Sequence, residues 1–366
     1  MNGQKKPRIL LAPLDWGLGH ATRCIPIIRY LLEKDCEVVL ASSGAPASLL
    51  TKEFSGIGIR ELEGYGIRYN SGSSLFGSMV LQLPGIFKSI KKEHHWLNEL
   101  LKKETFDFII SDNRPCFWNK QVHCIYITHQ LLIHSGKGKR VNRLLQQLHA
   151  RYMKNFNSVW VPDLEGNRNL AGELSHPAKP IIQPAYLGLL SRFEKGKTVE
   201  PIYDLLILLS GPEPQRTIFE QKLYHQLQSY NGKILFVRGL PQQNQTSLPF
   251  YKHITVHDHL PAHALQEAMA SAQLIICRSG YTTLMDLIRL NKKAILIPTP
   301  KQPEQEYLAA YMQEQQYFPF VKQDVFDLQS VLQLSTSFSY LQTFTGDDFE
   351  LYKNVIDKLL ESKLHN

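Results

Sequence analysis

The sequence predicts an α/β protein made of two similar halves, each a parallel sheet covered by helices. The chain has 366 residues, more than one compact core usually holds. Residues 8–41 run as strand, glycine-rich turn, apolar helix and strand, which is the order of a βαβ unit. The same order restarts at residues 204–209. We therefore expect two Rossmann-like domains facing each other across a cleft.

The first half consists of short apolar strands separated by helices and turns. Strands are predicted at residues 8–13, 37–41, 106–111, 124–128 and 158–161, and helices at residues 21–33 and 140–155. Residues 162–201 are irregular and contain several prolines, so we expect them to connect the halves. The first domain is accordingly predicted to span residues 1–165.

The second half repeats the alternation of strands and helices. Strands are predicted at residues 204–209, 233–237, 254–256, 274–277 and 294–297, and helices at residues 215–230 and 262–271. The tail at residues 347–364 is amphipathic and helical. We expect a second domain over residues 166–346, followed by a C-terminal helix over residues 347–366.

Composition is that of an ordinary globular protein, with 43% hydrophobic and 20% charged residues. No apolar run approaches the roughly 20 residues that span a bilayer, and the N-terminal sequence does not resemble a signal peptide. The five cysteines form no CxxC pair, so we expect reduced thiols. These features predict a cytoplasmic protein.

The net positive charge of the chain lies entirely in its first half. The net charge is +8, and residues 166–366 contain equal numbers of basic and acidic residues. A solvated basic face, attraction to anionic lipid or a phosphorylated acceptor, and nucleic-acid binding are the alternatives. Nucleic acid ranks last, because neither an aromatic RNA-binding signature nor a helix-turn-helix pattern is present. We expect no nucleic-acid partner.

The junction after the strand at residues 274–277 has the chemistry of an anion-binding turn. Gly280 lets the backbone approach a ligand closely, and Thr282 and Thr283 place hydroxyl groups beside the free N–H groups of a starting helix. The helix dipole and its unpaired amides both favour negative charge. Asp286 follows one turn later and is placed to accept hydrogen bonds from sugar hydroxyls.

A second segment is expected at the same edge of the sheet. The apolar strand at residues 294–297 ends at Pro298, and Glu304 with Gln305 follow it. In a parallel sheet the carboxyl ends of the strands line one crevice, so both segments are predicted to face one ligand.

The order Arg278-Ser279-Gly280-x-x-Thr283-x-x-Asp286, a proline-ended strand and then Glu304-Gln305 resembles the donor-binding half of GT-B glycosyltransferases. It is similar in particular to the N-acetylglucosaminyltransferase family that builds the peptidoglycan lipid intermediate. The resemblance covers residues 204–312 well and residues 8–33 moderately. Families of this type often carry Asn shortly after the acid–Gln pair, whereas this chain has Leu308-Ala309-Ala310.

The resemblance implies roles for the matching residues. The implied donor contacts are Ser279, Gly280 and Thr283 to the diphosphate, Asp286 to the ribose, and Glu304 with Gln305 to the sugar. It also implies that the second domain binds the donor, that the first binds the acceptor, and that the C-terminal helix packs back on the first domain. Arg278, backbone amides and hydroxyls would stabilise the leaving diphosphate, so neither a metal nor a cofactor is expected.

Two further segments of the second half are candidates for donor binding. Ser210 and Gly211 follow the first strand, where GT-B donor domains carry a phosphate loop, and Arg216 would neutralise the diphosphate unless it is a solvated helix residue. His257, His259 and His263 have a spacing that suits zinc, but no cysteine lies near. We favour recognition of the nucleobase by the segment around His259.

In the first half, the turn containing Gly17, Gly19, His20 and Arg23 is the candidate acceptor or phosphate turn. A neutral His20 at a helix N-terminus suits a general base that takes the proton of an acceptor hydroxyl. Asp112 ends a neighbouring strand and is predicted to orient His20 through its second ring nitrogen, with Asp15 as a weaker candidate. The alternatives are a structural glycine turn and a capping carboxylate.

Residues 75–103 combine apolar side chains with Lys88, Lys91 and Lys92. They are either a helical region that lines a cleft or a patch that docks on anionic membrane. The second interpretation predicts a protein that is peripheral on the inner face of the membrane.

We therefore predict a metal-independent, inverting glycosyltransferase. It would move a hexose-type sugar from a nucleotide sugar, most simply UDP-linked, to an acceptor hydroxyl of a lipid-linked or cell-envelope glycan. A UDP-sugar hydrolase and a UDP-sugar 2-epimerase of the same fold remain alternatives, and so does a non-catalytic subunit that binds nucleotide sugar.

Overall fold

The computed structural model describes residues 6–65, 75–180, 182–195, 199–240, 248–341 and 343–364. They divide into two units. The first unit holds the described residues of 1–68, 76–192 and 345–366, and the second holds those of 69–75 and 193–344. Each unit has its own parallel sheet, as the alternation of strands and helices in the sequence predicts.

The first unit is built on a seven-stranded sheet in the order β3-β2-β1-β4-β5-β6-β7. Its strands are β1 (Arg8–Pro13), β2 (Glu37–Ala41), β3 (Gly58–Arg60), β4 (Phe108–Asp112), β5 (His123–Ile127), β6 (Ser158–Val161) and β7 (Ala185–Tyr186). Its helices before residue 192 are α1 (Gly19–Glu33), α2 (Gly44–Glu53), α3 (Leu75–Leu101) and α4 (Lys139–Met153). Central strands such as β1 and β4 are buried along nearly their whole length, as expected when helices cover both faces of a parallel sheet.

The second unit has a five-stranded parallel sheet in the order β10-β9-β8-β11-β12. Its strands are β8 (Tyr203–Leu208), β9 (Ile234–Val237), β10 (Ile254–His257), β11 (Ala272–Cys277) and β12 (Ala294–Leu296). Its helices are α5 (Gln215–Leu227), α6 (Ala262–Ala270), α7 (Tyr281–Arg289), α8 (Pro303–Glu314) and α9 (Leu328–Ser337). β8 and β11 are neighbours at the centre of the sheet and pair through five residue pairs, so the loops that follow them lie side by side.

The division between the units falls after Arg192 rather than after residue 165, where the sequence predicts it. The buried Asp163 carboxylate explains the difference, because it accepts hydrogen bonds from the backbone N–H groups of Leu170 (2.8 Å) and Ala171 (3.0 Å). The chain then adds β7 to the first sheet beside β6. These local contacts bind the proline-containing segment to the first unit.

The C-terminal helix α10 (Leu351–Leu364) belongs to the first unit. The Tyr30 hydroxyl on α1 donates to the Asp357 carboxylate at 2.9 Å, and Lys34 forms an ion pair with the same carboxylate at 2.8 Å. The ring of Tyr352 packs edge-on against Tyr30 with centroids 5.9 Å apart. At the far end, Lys363 pairs with Asp107 at 2.7 Å.

Candidate active site

His20 lies at the start of α1, directly after the turn that leaves β1. Gly17 adopts a φ of +76°, a left-handed conformation that suits glycine, and its N–H donates to the carbonyl of Asp15. The His20 side chain is 15% exposed. Burial lowers the pKa of His20, the positive charge of Arg23 adds to this, and Asp112 opposes it. The neutral imidazole is therefore favoured.

Asp112 is the last residue of β4, and the register pairs it with Pro13 at the end of β1. Its carboxylate is fully buried, and Oδ2 lies 3.0 Å from Nδ1 of His20. Burial alone would raise the pKa of Asp112, but Arg23 and His20 outweigh it and lower the pKa. The structure thus brings together the two residues that the sequence predicts as a base and its orienting carboxylate.

Arg23 does not sit on an open phosphate turn, which corrects its predicted place beside Gly17 and Gly19. It is 2% exposed, and its Nε donates to both carboxylate oxygens of Asp112, at 2.9 Å and 3.1 Å. The helical spacing explains this, because residues three apart share a face and Arg23 points with His20 toward Asp112. Its guanidinium contacts Asp112 and His129 within the protein.

His129 is a member of this cluster that sequence reasoning missed. It is 6% exposed and its Nδ1 lies 3.1 Å from Nη1 of Arg23. A signal was available, because His129 follows β5 and Asp112 ends β4, and these parallel strands are neighbours. The Cys24 thiol also lies 3.8 Å from Asp112.

Asp15, the weaker candidate for orienting His20, faces a different cluster. Its Oδ2 accepts from the backbone N–H of Tyr65 at 3.1 Å, and its Oδ1 lies 3.5 Å from the buried Arg114. Arg114 in turn pairs with Glu93 at 2.6 Å. A Cβ at Gly64 would lie 1.9 Å from Asp15, so this arrangement requires glycine there. The contacts favour Asp112 as the partner of His20.

In the second unit, three loops at the carboxyl ends of β8, β11 and β12 are linked to one another. Ser210 and Gly211 follow β8 and are exposed. Gly211 has a φ of +101°, and a Cβ built on it would lie 3.4 Å from the Thr299 hydroxyl in the loop after β12. The first and third of these loops are therefore in close contact.

The loop after β11 leads into α7, with Gly280 as the N-cap residue. Thr282 and Thr283 in the first turn are half-buried, and Asp286 is 4% exposed. Gly280 has an ordinary φ of −71°, and a Cβ there would meet only the Thr283 hydroxyl, at 3.8 Å. Space, rather than conformational freedom, is what glycine provides at this position.

Gln305 joins the loops after β11 and β12. Its side-chain oxygen accepts from the N–H of Thr299 at 2.9 Å, and its carbonyl accepts from the fully buried Ser279 hydroxyl at 2.8 Å. The Ser279 hydroxyl and the Gln305 side-chain oxygen thus connect the two loops, so any contact of Ser279 with the diphosphate would come from its backbone N–H. Glu304, its neighbour in the first turn of α8, is half-buried.

The two arginines predicted to meet the diphosphate are internal braces. Arg278 is 1% exposed, and its guanidinium donates to the carbonyls of Ile297 (3.1 Å) and Gln215 (3.0 Å) and to the Gln323 side chain (2.7 Å). Burial lowers the pKa of Arg278 to about 10. It packs over the Phe219 ring at 4.5 Å. Its donors therefore fasten the loops after β8, β11 and β12 from within.

Arg216 is equally committed to the protein. It is 2% exposed and pairs with Glu213 at 2.6 Å and with Glu220 at 2.9 Å, and Arg238 shares Glu220 at 2.7 Å. Helical spacing places both carboxylates within its reach. The structure thus corrects its predicted role in neutralising a diphosphate.

His259 lies in the loop between β10 and α6 and is exposed. The His263 side chain is also exposed and lies 3.6 Å from the carboxylate of Glu267. In the part of the chain that the structure describes, no group of three or more His, Cys, Asp or Glu residues is arranged to hold a metal ion. No described helix is both long and apolar enough to cross a bilayer.

Comparison with known proteins bears on the second unit first. The sequence matches the Glycosyltransferase family 28 C-terminal domain over residues 215–340. The matched residues contain α7 with Gly280 and Asp286, and α8 with Glu304 and Gln305. No curated protein sequence matches the chain.

Solved structures similar to the whole chain are glycosyltransferases. The calicheamicin glycosyltransferase CalG4 has a TM-score of 0.67 at 11% identity, with 99% of each chain covered. MurG from Acinetobacter baumannii has a TM-score of 0.56 at 14% identity, covering 98% of this chain and 99% of its own. The spinosyn rhamnosyltransferase SpnG complexed with thymidine diphosphate has a TM-score of 0.61 at 13% identity, covering 98% and 100%.

These likenesses confirm the predicted α/β class with two Rossmann-like domains of the GT-B type. The match of the family 28 domain confirms the resemblance found in the second half of the sequence. Together they support a glycosyltransferase, as that resemblance implies.

Proposed function

We propose that this protein transfers a hexose-type sugar from a UDP-linked donor to an acceptor hydroxyl. The observation that carries the proposal is the family 28 match over residues 215–340, because that region contains the loops after β11 and β12 and the start of α7. A helix N-terminus offers free amides and a favourable dipole to a diphosphate. SpnG, a structural neighbour, is complexed with thymidine diphosphate, which also favours a pyrimidine nucleotide here.

Donor binding is assigned to residues of the loops after β8, β11 and β12 and of the first turns of α7 and α8. Ser210, Gly211 and the amides at Gly280 would hold the diphosphate, with hydroxyl groups from Thr282 and Thr283. Asp286 would accept from the ribose, and Glu304 with the Gln305 amide would contact the sugar. Since helix amides, the helix dipole and hydroxyl groups stabilise the diphosphate charge in this assignment, we propose a reaction without a metal or other cofactor.

The first unit supplies the base. With Nδ1–H directed at the Asp112 carboxylate 3.0 Å away, Nε2 of His20 keeps its lone pair. The acceptor hydroxyl would give its proton to Nε2 as its oxygen bonds to the anomeric carbon, and the bond from that carbon to the diphosphate oxygen would break, releasing UDP. A single displacement of this kind inverts the anomeric configuration.

Calorimetric titration tests the donor assignment. We expect UDP to bind more tightly than TDP, GDP or ADP, and the isosteric change Asp286→Asn to weaken UDP binding. Asp324→Asn, an exposed carboxylate of the same unit, serves as the matched control and should leave UDP binding unchanged. Absence of binding to any of the four nucleotides would end the proposal.

The alternatives differ in their products. A transferase releases UDP from UDP-sugars faster when its acceptor is added, whereas a hydrolase releases UDP at turnover rates without one. A 2-epimerase would convert the sugar while it remains nucleotide-linked. A non-catalytic subunit would bind UDP with or without His20 and turn over no substrate. Product analysis by chromatography separates these cases.

We further propose a lipid-linked or cell-envelope acceptor and peripheral contact with an anionic membrane on its cytoplasmic face. The predicted patch at residues 75–103 falls on α3, where the side chains at positions 75–84, 86 and 87 lie outside the described residues. The described α4 offers a better surface. Leu144 and Leu148 are 58% and 44% exposed.

The charge of α4 is complementary to anionic lipid. Arg140, Arg143 and Arg151 are exposed, and the 15 residues of the helix include no acidic residue. Basic side chains near an anionic surface contribute about 1 kcal/mol each, and the leucines would enter the headgroup region. The exposed face of α4 therefore suits an anionic bilayer surface.

Vesicle co-sedimentation tests this contact. The protein should bind vesicles of phosphatidylcholine with phosphatidylglycerol and not vesicles of phosphatidylcholine alone. Leu144→Gln with Leu148→Gln should reduce binding, whereas Leu341→Gln, an equally exposed leucine of the second unit, should not. Equal binding to both vesicle types, or to neither, would contradict the membrane proposal and leave the transferase proposal standing.

A further inference from the structure

Arg23 contacts Asp112, His129 and His20, three polar side chains of the cluster around His20. Its Nε donates to both oxygens of Asp112, at 2.9 Å and 3.1 Å, and its Nη2 also donates to that carboxylate. Nη1 lies 3.1 Å from Nδ1 of His129, and Nη2 lies 2.9 Å from Nδ1 of His20. One buried guanidinium thus reaches residues that follow or end two neighbouring strands and the first turn of α1.

The chemistry of these partners fixes where protons lie. A guanidinium carries only N–H donors and remains charged, so any ring nitrogen that it meets must act as the acceptor. A hydrogen bond from Arg23 to Nδ1 of His129 therefore requires a lone pair on that nitrogen. The ionised carboxylate of Asp112 is an acceptor only and requires the opposite state of its own partner.

His20 is the point where these two demands meet. Nδ1 lies 3.0 Å from Asp112, which favours a proton on that nitrogen, and 2.9 Å from Arg23, which favours a lone pair. Only the first state leaves Nε2 free to accept a proton. The balance between Asp112 and Arg23 therefore determines whether His20 can act as a base.

We propose that Arg23 is a positioning residue that sets the protonation state of His20. It holds Asp112 ionised and in place, so that the carboxylate orients His20 with Nε2 as the acceptor. Its positive charge at the same time disfavours a second proton on the ring. The role in turnover depends on the proposed function, but the proton equilibrium of His20 does not.

The charged and titratable neighbours of His20 are Arg23 on α1, Asp112 at the end of β4 and His129 after β5. Burial and Arg23 lower the pKa of His20, and Asp112 raises it. Burial and Asp112 raise the pKa of the nearby Cys24 thiol, so that thiol stays neutral. Removing the charge of Arg23 should therefore raise the pKa of His20, because Asp112 would then act without its opponent.

NMR titration of the histidine ring protons in the full-length protein tests this directly. The His20 signal is assigned by its loss in His20→Asn. We expect Arg23→Gln to move the His20 midpoint to higher pH, and Arg23→Lys, which keeps the charge, to leave it close to the wild-type value. Arg29→Gln removes another arginine of α1, which pairs with Glu53 at 2.9 Å, and should leave the midpoint unchanged.

An unchanged or lower midpoint in a folded Arg23→Gln protein would overturn the inference. Thermal unfolding and UDP titration establish that the variant is folded. If Arg23→Gln does not fold, Arg23→Lys decides instead. Lysine cannot reproduce the bidentate bond to Asp112, so we expect it to retain the midpoint and lose turnover. Full turnover in Arg23→Lys would exclude a positioning role.

Kinetics give an independent reading once an acceptor has been found. Arg23→Gln should reduce kcat by about 10²-fold, the cost of displacing a reacting group by roughly 1 Å, with KM for UDP-sugar unchanged. The acid limb of the pH profile should move to higher pH together with the NMR midpoint. Normal turnover of Arg23→Gln, with the acid limb of its pH profile unchanged, would refute only the role of Arg23. Failure of the wild-type protein to bind UDP would refute only the proposed function.

Discussion

Arg23 in the first unit and Arg278 in the second are both buried arginines close to strand ends, yet their donors go to different kinds of partner. Arg23 donates to the carboxylate of Asp112 and approaches two histidines. Arg278 donates to backbone carbonyls and to one neutral side chain, Gln323. The acceptors around a guanidinium, rather than its place in a motif, distinguish a group linked to proton transfer from a structural brace.

The two units differ in the same way as a whole. The cluster around His20 gathers titratable side chains, to which we assign control of one proton. The loops after β8, β11 and β12 present backbone and hydroxyl groups, while Arg216 and Arg278 lie inside. Backbone amides at a helix N-terminus bind anions without a charged side chain, which allows the arginines to hold loops together.

Removing His20 should produce the largest loss of activity. His20→Asn removes the base at Nε2, and general-base catalysis contributes about 10²–10⁴-fold. We expect the rate of UDP release to decrease by about 10²–10⁴-fold, with the affinity for UDP unchanged. In the wild type, the acid limb should lie below pH 6.5, because the folded pKa of His20 is lowered from that value and the neutral base persists there.

The exposed His95 provides the control for this change. His95→Asn should retain the wild-type rate and pH profile. Retention of full activity in His20→Asn would show that His20 of the first unit is not the base.

Arg278→Met should mainly affect stability. It leaves the buried carbonyls of Ile297 and Gln215 without a donor, at a cost of about 1–3 kcal/mol for each unsatisfied group. We expect the free energy of unfolding of the second unit to fall by about 3 kcal/mol, so that it unfolds at a lower urea concentration. Lys322→Met, at an exposed site, should leave the midpoint unchanged. A stable variant that no longer binds UDP would instead mean that Arg278 contacts the ligand.

Gly280→Ala should weaken UDP binding by about tenfold, or about 1.4 kcal/mol, without unfolding the protein. The added methyl group meets only the Thr283 hydroxyl, at 3.8 Å, so a loss of affinity reports the space that the ligand needs. Gly346→Ala is the matched control, because a Cβ there meets nothing within 4 Å. Calorimetry compares the two, and equal UDP affinity would place the diphosphate elsewhere.

The smallest expected effect concerns the acid stability of the first unit. Hydrogen bonds from Arg60, and then from Arg8, lower the pKa of Glu104 to about 2 although burial opposes them. Because the pKa of Glu104 is lower in the folded protein, its ionised carboxylate stabilises the fold at pH values above the ordinary pKa of 4.5. This stabilisation is lost as the pH falls toward 2. Glu104→Gln should therefore destabilise the protein at pH 7 by about 1 kcal/mol or less.

Urea unfolding at several pH values checks this last prediction. The difference in unfolding free energy between Glu104→Gln and the wild type should shrink as the pH is lowered from 5 toward 2. A constant difference across that range would show that packing, and not the charge of Glu104, is responsible.

Much of the fold follows from local pattern. Apolar runs at residues 8–13 and 204–209 predict strands that the structure contains, because β-strands buried on both faces read as continuous hydrophobic segments. The predicted strand–turn–helix junctions at His20 and Gly280 are also present. The boundary was misplaced, since the hydrogen bonds of Asp163 join segments whose local composition is that of a linker.

The sequence by itself determined the order of the elements and the α/β class, because apolar strands and helices alternate along it. It predicted the pairing of His20 with Asp112 but left Asp15 open, and the contacts of the two carboxylates in the folded protein favour Asp112. Tertiary structure alone decided which polar groups remain available there. Arg23, Arg216, Arg278 and Ser279 each belong to a motif, but their buried side chains donate to acceptors within the protein. For Arg23, Ser279 and Arg278 those acceptors include His129, Gln305 and Gln323, which are distant in the chain and which local patterns do not bring together.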